Sequence, residues 1–163
     1  MTTLSQVRDR AKQESDNVGQ SFVSNAEWLE YINASYQEAY GIYAQAFGDS
    51  YFVKSTPQSI TTDGTNQQFA LASDFWKALL VEVLIGTGAN QYVTLKRMAS
   101  LADKNTISLF NTQIPAAGQT VRVWYIPTVT ALVADADVLS TALTATGGEE
   151  YVVVDACIKA LAK

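Results

Sequence analysis

A chain of 163 residues with 48% hydrophobic side chains has ordinary single-domain size and can bury a core. Its formal net charge is −5 with a pI near 4.6, so the whole molecule repels phosphate backbones and only local basic clusters could hold nucleic acid. With no histidine and one cysteine, it has no Ser-His-Asp or Cys-His nucleophile, no histidine-containing zinc site and no internal disulfide.

Enzyme chemistry would fall to carboxylates, lysine, tyrosine or a carboxylate-bound divalent metal. Cys157 sits among apolar residues at helical spacing and reads as a small buried side chain. The N-terminus is polar and charged, unlike a signal peptide, and no segment approaches the about 18 apolar residues of a membrane span. The expectation is a protein made and kept in the cytosol, without a membrane partner.

In chain order, Leu4 to Glu14 places Leu4, Val7 and Ala11 at helical spacing and predicts a short amphipathic helix. Ser15 to Val23 is a polar loop, with Phe22 or Val23 placed to pack as a hydrophobic staple. Ser24 to Phe47 carries the strongest helical signal. Ser24-Asn25-Ala26-Glu27 spells a capping box. Trp28, Tyr31, Ile32, Ser35, Tyr36, Ala39, Tyr40, Tyr43 and Phe47 share one face, opposite Glu30, Asn33, Gln37 and Glu38, and Gly48 marks the stop. That stripe reads as a core face rather than an aromatic ligand box. Its tyrosine hydroxyls need partners when buried, which suits a half-wet contact with another domain or subunit.

After Gly48 alternation replaces the helical period. Tyr51 to Val53 is expected to be extended, and Pro57 to Thr62 and Asn66 to Leu71 to form a hairpin around Asp63-Gly64. Ala72 to Trp76 reads as one helical turn, and Ala78 to Ile85 as a strand with a helical alternative. Gly86 to Asn90 is a turn without a complete phosphate-loop motif, Gln91 to Leu95 a returning strand, and Lys96 to Lys104 a short helix. Ile107 to Ile114 and Gln119 to Ile126 are two more strands around Pro115 to Gly118. The second is apolar on both faces and so central or covered on two sides. Thr128 to Thr146 has no firm period and reads as an extended connection.

From Glu149 the helical period resumes, with two glutamates in the first turn and Tyr151, Val154, Ile158 and Leu161 on one face. This helix has no stop signal, so it either frays or ends against something. The order predicts an α+β fold: a small helical bundle from residues 1–50 and 148–163, with an inserted antiparallel β-rich region at 51–147.

Candidate chemistry is sparse. Asp135/Asp137 and Glu149/Glu150 are the carboxylate pairs a glycosidase or metal site could use. The first pair lacks the further ligands of a calcium loop, and the second fits a helix N-terminus. No catalytic, metal or cofactor residue is assigned. Arg8, Arg10 and Lys12, and separately Lys96 and Arg97, form basic clusters that read as solvated faces or as a protein interface.

Several stretches together resemble the adaptor, or head-to-tail connector, proteins that bind the portal of tailed bacteriophages. An Arg-rich first helix leads into Ser21-Phe22-Val23-Ser24-Asn25-Ala26-Glu27 and an aromatic helix with Ile32-Asn33. Tyr51-Phe52, Thr62-Asp63-Gly64-Thr65 and Phe69-Ala70-Leu71-Ala72-Ser73-Asp74-Phe75 follow. Val121-Arg122-Val123-Trp124-Tyr125-Ile126-Pro127 and Gly148-Glu149-Glu150-Tyr151-Val152-Val153 complete the series. The similarity keeps its order over nearly the whole length. Two departures stand out. Ala72-Ser73 replaces the proline usual before Asp74-Phe75, and the family's final helix commonly runs on, so the tail that grips the portal is expected to be short or missing.

The resemblance implies a structural virion protein of the neck, assembled in the host cytoplasm. It would form a twelve-fold homo-oligomeric ring between the portal and a downstream tail or nozzle protein. Genomic DNA would pass through its channel without sequence-specific binding. Tyr151, Val154, Ile158 and Leu161 are then expected to anchor the final helix, whose end faces the portal or a neighbouring subunit. The basic residues at 8, 10, 12, 96 and 97 are further interface candidates. The competing reading is a monomeric β-rich binding module, for example for glycans, with Trp76, Trp124 and Tyr125 exposed as stacking platforms.

Overall fold

The Thr3 hydroxyl accepts from the Gln6 N–H at 3.3 Å, and the Gln6 side-chain carbonyl accepts from the Thr3 N–H at 2.9 Å. This capping box starts helix Leu4–Glu14 (α1), which buries Leu4, Val7 and Ala11. A second box opens Asn25–Phe47 (α2): the Ser24 N–H donates to Glu27 Oε2 at 2.8 Å and the Glu27 N–H to Ser24 Oγ at 3.3 Å. The computed structural model describes residues 1–19, 22–47, 51–85, 91–94, 101–103, 106–108 and 116–163. The expected stop at Gly48 and turn at 86–90 lie outside them.

Along α2 the buried side chains are Trp28, Ile32, Ser35, Tyr36, Ala39, Tyr40 and Ala44. They follow the expected stripe in part: its Tyr31 and Tyr43 are half-buried, its Phe47 is exposed, and Ala44, outside the expected stripe, is buried. Before the helix, Val23 is buried and Phe22 is not. Tyr51 and Phe52 are helical rather than extended, and the Phe52 ring packs edge-on against Tyr40 at 5.0 Å.

Thr141–Ala145 (α3) and Gly148–Leu161 (α4) complete the helices. A Cβ at Gly148 would overlap the Leu143 side chain, so the absence of one lets α4 begin directly against α3. The two ends of α4 show that it runs antiparallel to α2. Tyr151 near its start bonds Glu38, whereas Lys163 beyond its end reaches Glu27 at 2.5 Å. Its inner face is Val152, Val153, Ala156, Cys157 and Ala160, mostly small side chains that permit close approach, and Cys157 Sγ donates to the Ala11 carbonyl of α1 at 3.2 Å.

The connection ahead of α3 is ordered by backbone bonds. The Leu4 N–H donates to the Asp137 carbonyl at 2.8 Å and the Leu139 N–H to the Thr2 carbonyl at 3.0 Å. Asn33 of α2 clamps Leu132, donating to its carbonyl at 2.9 Å and accepting from its N–H at 2.8 Å. The chain therefore divides into one compact unit of Met1–Phe52 with Val129–Lys163 and another of Val53–Thr128. Residues 129–147, read from the sequence as part of the β region, belong with the helices because these bonds and the buried Leu132, Leu139 and Leu143 hold them there.

The second unit contains Gln58–Thr61 (β1), Gln68–Ala70 (β2), Phe75–Leu84 (β3), Tyr92–Thr94 (β4), Leu101–Asp103 (β5), Thr106–Ser108 (β6) and Thr120–Pro127 (β7). They form two antiparallel sheets, β1-β7-β3-β4 and β2-β6-β5. The fold is α+β. β7 is central, and its Val121, Val123 and Tyr125 enter a core with Ile60, Leu71, Phe75, Val81, Val83 and Ile107. β3 takes register shifts between Phe75 and Lys77 and between Ala78 and Leu80, which re-aim its side chains.

Three expectations change within this second unit. The hairpin of β1 with β2 does not form, since β1 pairs β7 and β2 pairs β6. The Asp63-Gly64 turn is present all the same: Asp63 Oδ1 accepts from the N–H groups of Thr65 and Asn66, both at 2.8 Å, and Gly64 takes φ +76°. The single helical turn expected at 72–76 is a tight turn, with the Phe75 N–H on the Ala72 carbonyl at 2.9 Å, and β3 starts at once. The described part of the predicted 96–104 helix is strand β5, because pairing with β6 overrides helix propensity there.

Candidate functional site

The basic residues of α1 are committed within the chain. Arg8 makes a bidentate pair with Asp135 at 2.8 and 3.0 Å, Arg10 reaches Glu150 at 2.7 Å, and Lys12 donates to Asn25 at 2.8 Å. Each of these bonds has its partner at hand without a second molecule. Lys96 and Arg97 lie outside the described residues.

The carboxylates of the catalytic reading are likewise spoken for. Arg8 holds Asp135 below the usual carboxylate range, and the N–H groups of Val133 and Ala134 do the same for Asp137 at 2.7 and 2.8 Å. Glu149 accepts from the Thr2 hydroxyl and Glu150 pairs with Arg10. Among the described residues, no three or more histidine, cysteine, aspartate or glutamate side chains come together as metal ligands. No described helix is long and apolar enough to cross a membrane.

The final helix carries the informative surface. Its apolar residues occupy two faces, and the one picked from the sequence is the outer one. Val154 is 44% exposed, Ile158 59% and Leu161 67%. They do not anchor α4 within the chain, because Val152, Val153, Ala156, Cys157 and Ala160 fill the inner face. Tyr151 is half-buried and donates to Glu38 at 3.1 Å. A groove of about 490 Å³, lined by Tyr43, Glu150, Tyr151, Val154, Asp155 and Ile158, runs where α2 and α4 meet. From Tyr43 the rings continue along α2 to Phe47 at 6.2 Å and on to Tyr51 at 6.4 Å.

Lys163 fixes the far end of α4. Its ammonium donates to the Phe22 carbonyl at 2.9 Å and pairs with Glu27, which the lysine and the Ser24 N–H together lower to about 2. Of the two expected outcomes, fraying or ending against something, the described contacts match the second: the helix end is pinned to the start of α2. A negative helix C-terminus thereby meets a positive N-terminus.

In the β unit, of the three aromatics proposed as platforms, Trp76 is 38% exposed, Trp124 is half-buried with its Nε1–H on Glu82 at 2.9 Å, and Tyr125 is 1% exposed. The Tyr125 hydroxyl donates to Asp74 Oδ1, and Lys54 donates to both Asp74 Oδ2 and the Tyr125 oxygen, all at 2.8 Å. This triangle raises Lys54 to about 12 and depresses Asp74. Backbone bonds from Lys54 to Tyr125 at 3.0 Å and from Thr128 to Asp74 at 2.6 Å surround it, so it ties the entry and exit of the unit. The triangle joins residues 20 and 51 positions apart. The one sequence signal for it is that a buried tyrosine needs a hydroxyl partner.

No protein-family model and no curated protein matches the chain.

Proposed function

We propose that the protein is a structural component of a tailed-phage virion, an adaptor that binds the portal in the neck. Copies of it form a ring, twelve-fold by the resemblance, that extends the DNA channel and offers a platform to a downstream tail or nozzle protein. One observation carries the reading: the outward strip of Val154, Ile158 and Leu161 on a helix whose inner face is already filled. Aliphatic side chains of this size gain about 1.5–3 kcal/mol each on full burial, so a row of three on one helix is a surface made for contact.

Other observations agree. The resemblance runs in order from the first helix to α4, and a net charge of −5 lets DNA pass without adhering. The engaged carboxylates favour a structural role over an enzymatic one. The glycan-binding alternative is weakened because it needs Tyr125 exposed, and Tyr125 is in the core.

Imaging of isolated portal rings after incubation with the chain tests the proposal. An added ring of density on one end of the portal is the expected result. Portal particles indistinguishable from untreated ones, with the chain in excess, would overturn it.

A further inference from the structure

Asp74 sits where the entry, the exit and a turn of the β unit meet. Its Oδ2 accepts from the Lys54 ammonium at the entry, its Oδ1 from the Tyr125 hydroxyl on β7, and its carbonyl from the Thr128 N–H at the exit. Lys54 closes the set of contacts: its N–H donates to the Tyr125 carbonyl, and its ammonium lies 5.2 Å from the centre of the Tyr125 ring. That ring packs at 5.5 Å against Phe75, the residue that follows Asp74. Entry, exit and the start of β3 are therefore held by one another.

An inserted segment whose own residues hold its two ends together has its loop closed from within, and does not need the surrounding chain to close it. The β unit also has a core of its own, since Ile60, Phe75, Val81, Val121, Val123 and Tyr125 all lie between Val53 and Thr128. The helical unit secures its side of the two connections separately, through the Phe52 ring on Tyr40 and the Asn33 clamp on Leu132. Within the Asp74 set the contacts differ in weight. Lys54 and Asp74 have side chains 41% and 38% exposed, and an ion pair so open to water adds little alone. The Tyr125–Asp74 bond matters more, because it satisfies the hydroxyl of a residue that is 1% exposed.

We propose that the contacts around Asp74 form a latch that makes the β unit a separate cooperative piece, which opens and recloses as a whole while the helices stay folded. Such sub-global opening follows units that close and pack by themselves. The inference stands apart from the adaptor reading and needs neither a portal nor a second copy.

Hydrogen exchange of the full chain, read by mass spectrometry on its peptides, is the test. Asp74→Ala should speed exchange of the β1, β3 and β7 amides together by about tenfold or more and leave the α2 and α4 amides at their original rates. Asn33→Ala should do the reverse, speeding exchange in α2 and around Leu132 while β1 and β7 keep their rates. Tyr125→Phe keeps the ring and removes only the hydroxyl, so it should reproduce the Asp74→Ala pattern where that variant fails to fold. Acceleration confined to residues 72–76, acceleration that spreads equally to α2 and α4, or none at all would overturn the proposal.

Discussion

The Asn33 carboxamide accepts from the Leu132 N–H and donates to its carbonyl, so one side chain on a helix satisfies both polar groups of a backbone whose own side chain is buried. Removing it strands that pair. Asn33→Ala should therefore lower stability by about 1–3 kcal/mol, measured by urea unfolding, and a loss below about 0.5 kcal/mol would show that water replaces the clamp. Gly64 is a second position where one residue decides. At φ +76° with a Cβ position 3.0 Å from the Ala117 Cβ, Gly64→Ala should cost about 1–2 kcal/mol in the same assay. These two sites differ in legibility. The Asp63-Gly64 turn is visible in adjacent residues, as is the Ser24–Glu27 box, whereas Asn33 reads as solvent-facing because its partner is 99 positions away.

Titration behaviour belongs to the same scale. Glu27 and Asp74 have folded values depressed below the ordinary carboxylate range, so the stability they add is present above about pH 4 and is lost as the pH falls through their folded values, about 2 for Glu27. Lys54 is raised to about 12 and burial raises the Cys157 thiol. Their contributions are full below the ordinary values of about 10.4 and 8.5 and fade as the pH rises past them. With no histidine in between, stability measured by urea midpoints should be flat from about pH 5 to 8 and fall on both sides. A slope within that window would contradict this assignment, and Glu27→Gln should flatten part of the acid limb.

At the scale of elements, α4 shows why a correct helix can have its faces reversed. Tyr151, Val154, Ile158 and Leu161 are the bulkier set at helical spacing, but Val152, Val153, Ala156, Cys157 and Ala160 share the same period and are smaller, and close packing against α1 and α2 selects the smaller set. Substitutions separate the faces. Val153→Ala should cost about 2 kcal/mol through lost burial, while Ile158→Glu should stay within about 0.5 kcal/mol. Comparable losses from both would mean that α4 is buried on both sides in the single chain. The strands teach a related lesson. Their alternation was readable, but β1 and β2 pair with β7 and β6 rather than with each other, and a turn motif carries no information about partners supplied much later in the chain.

For the whole molecule, element order already placed helices at both ends of the chain around a β-rich middle. The allocation of 129–147 to the helical unit was hidden because its ties are backbone bonds to Thr2 and Leu4 and a side-chain bond between the Ser140 N–H and the Tyr36 oxygen at 2.6 Å. Composition does not encode such bonds. The outward apolar strip on α4 supports the proposal of a part that works in assembled form. The most direct test is sedimentation velocity of the 17.7 kDa chain, alone and mixed with its candidate portal ring. The account predicts a new boundary faster than the portal alone, carrying about as many chains as the ring has portal subunits. A chain that sediments as a monomer beside an unaltered portal boundary would contradict it.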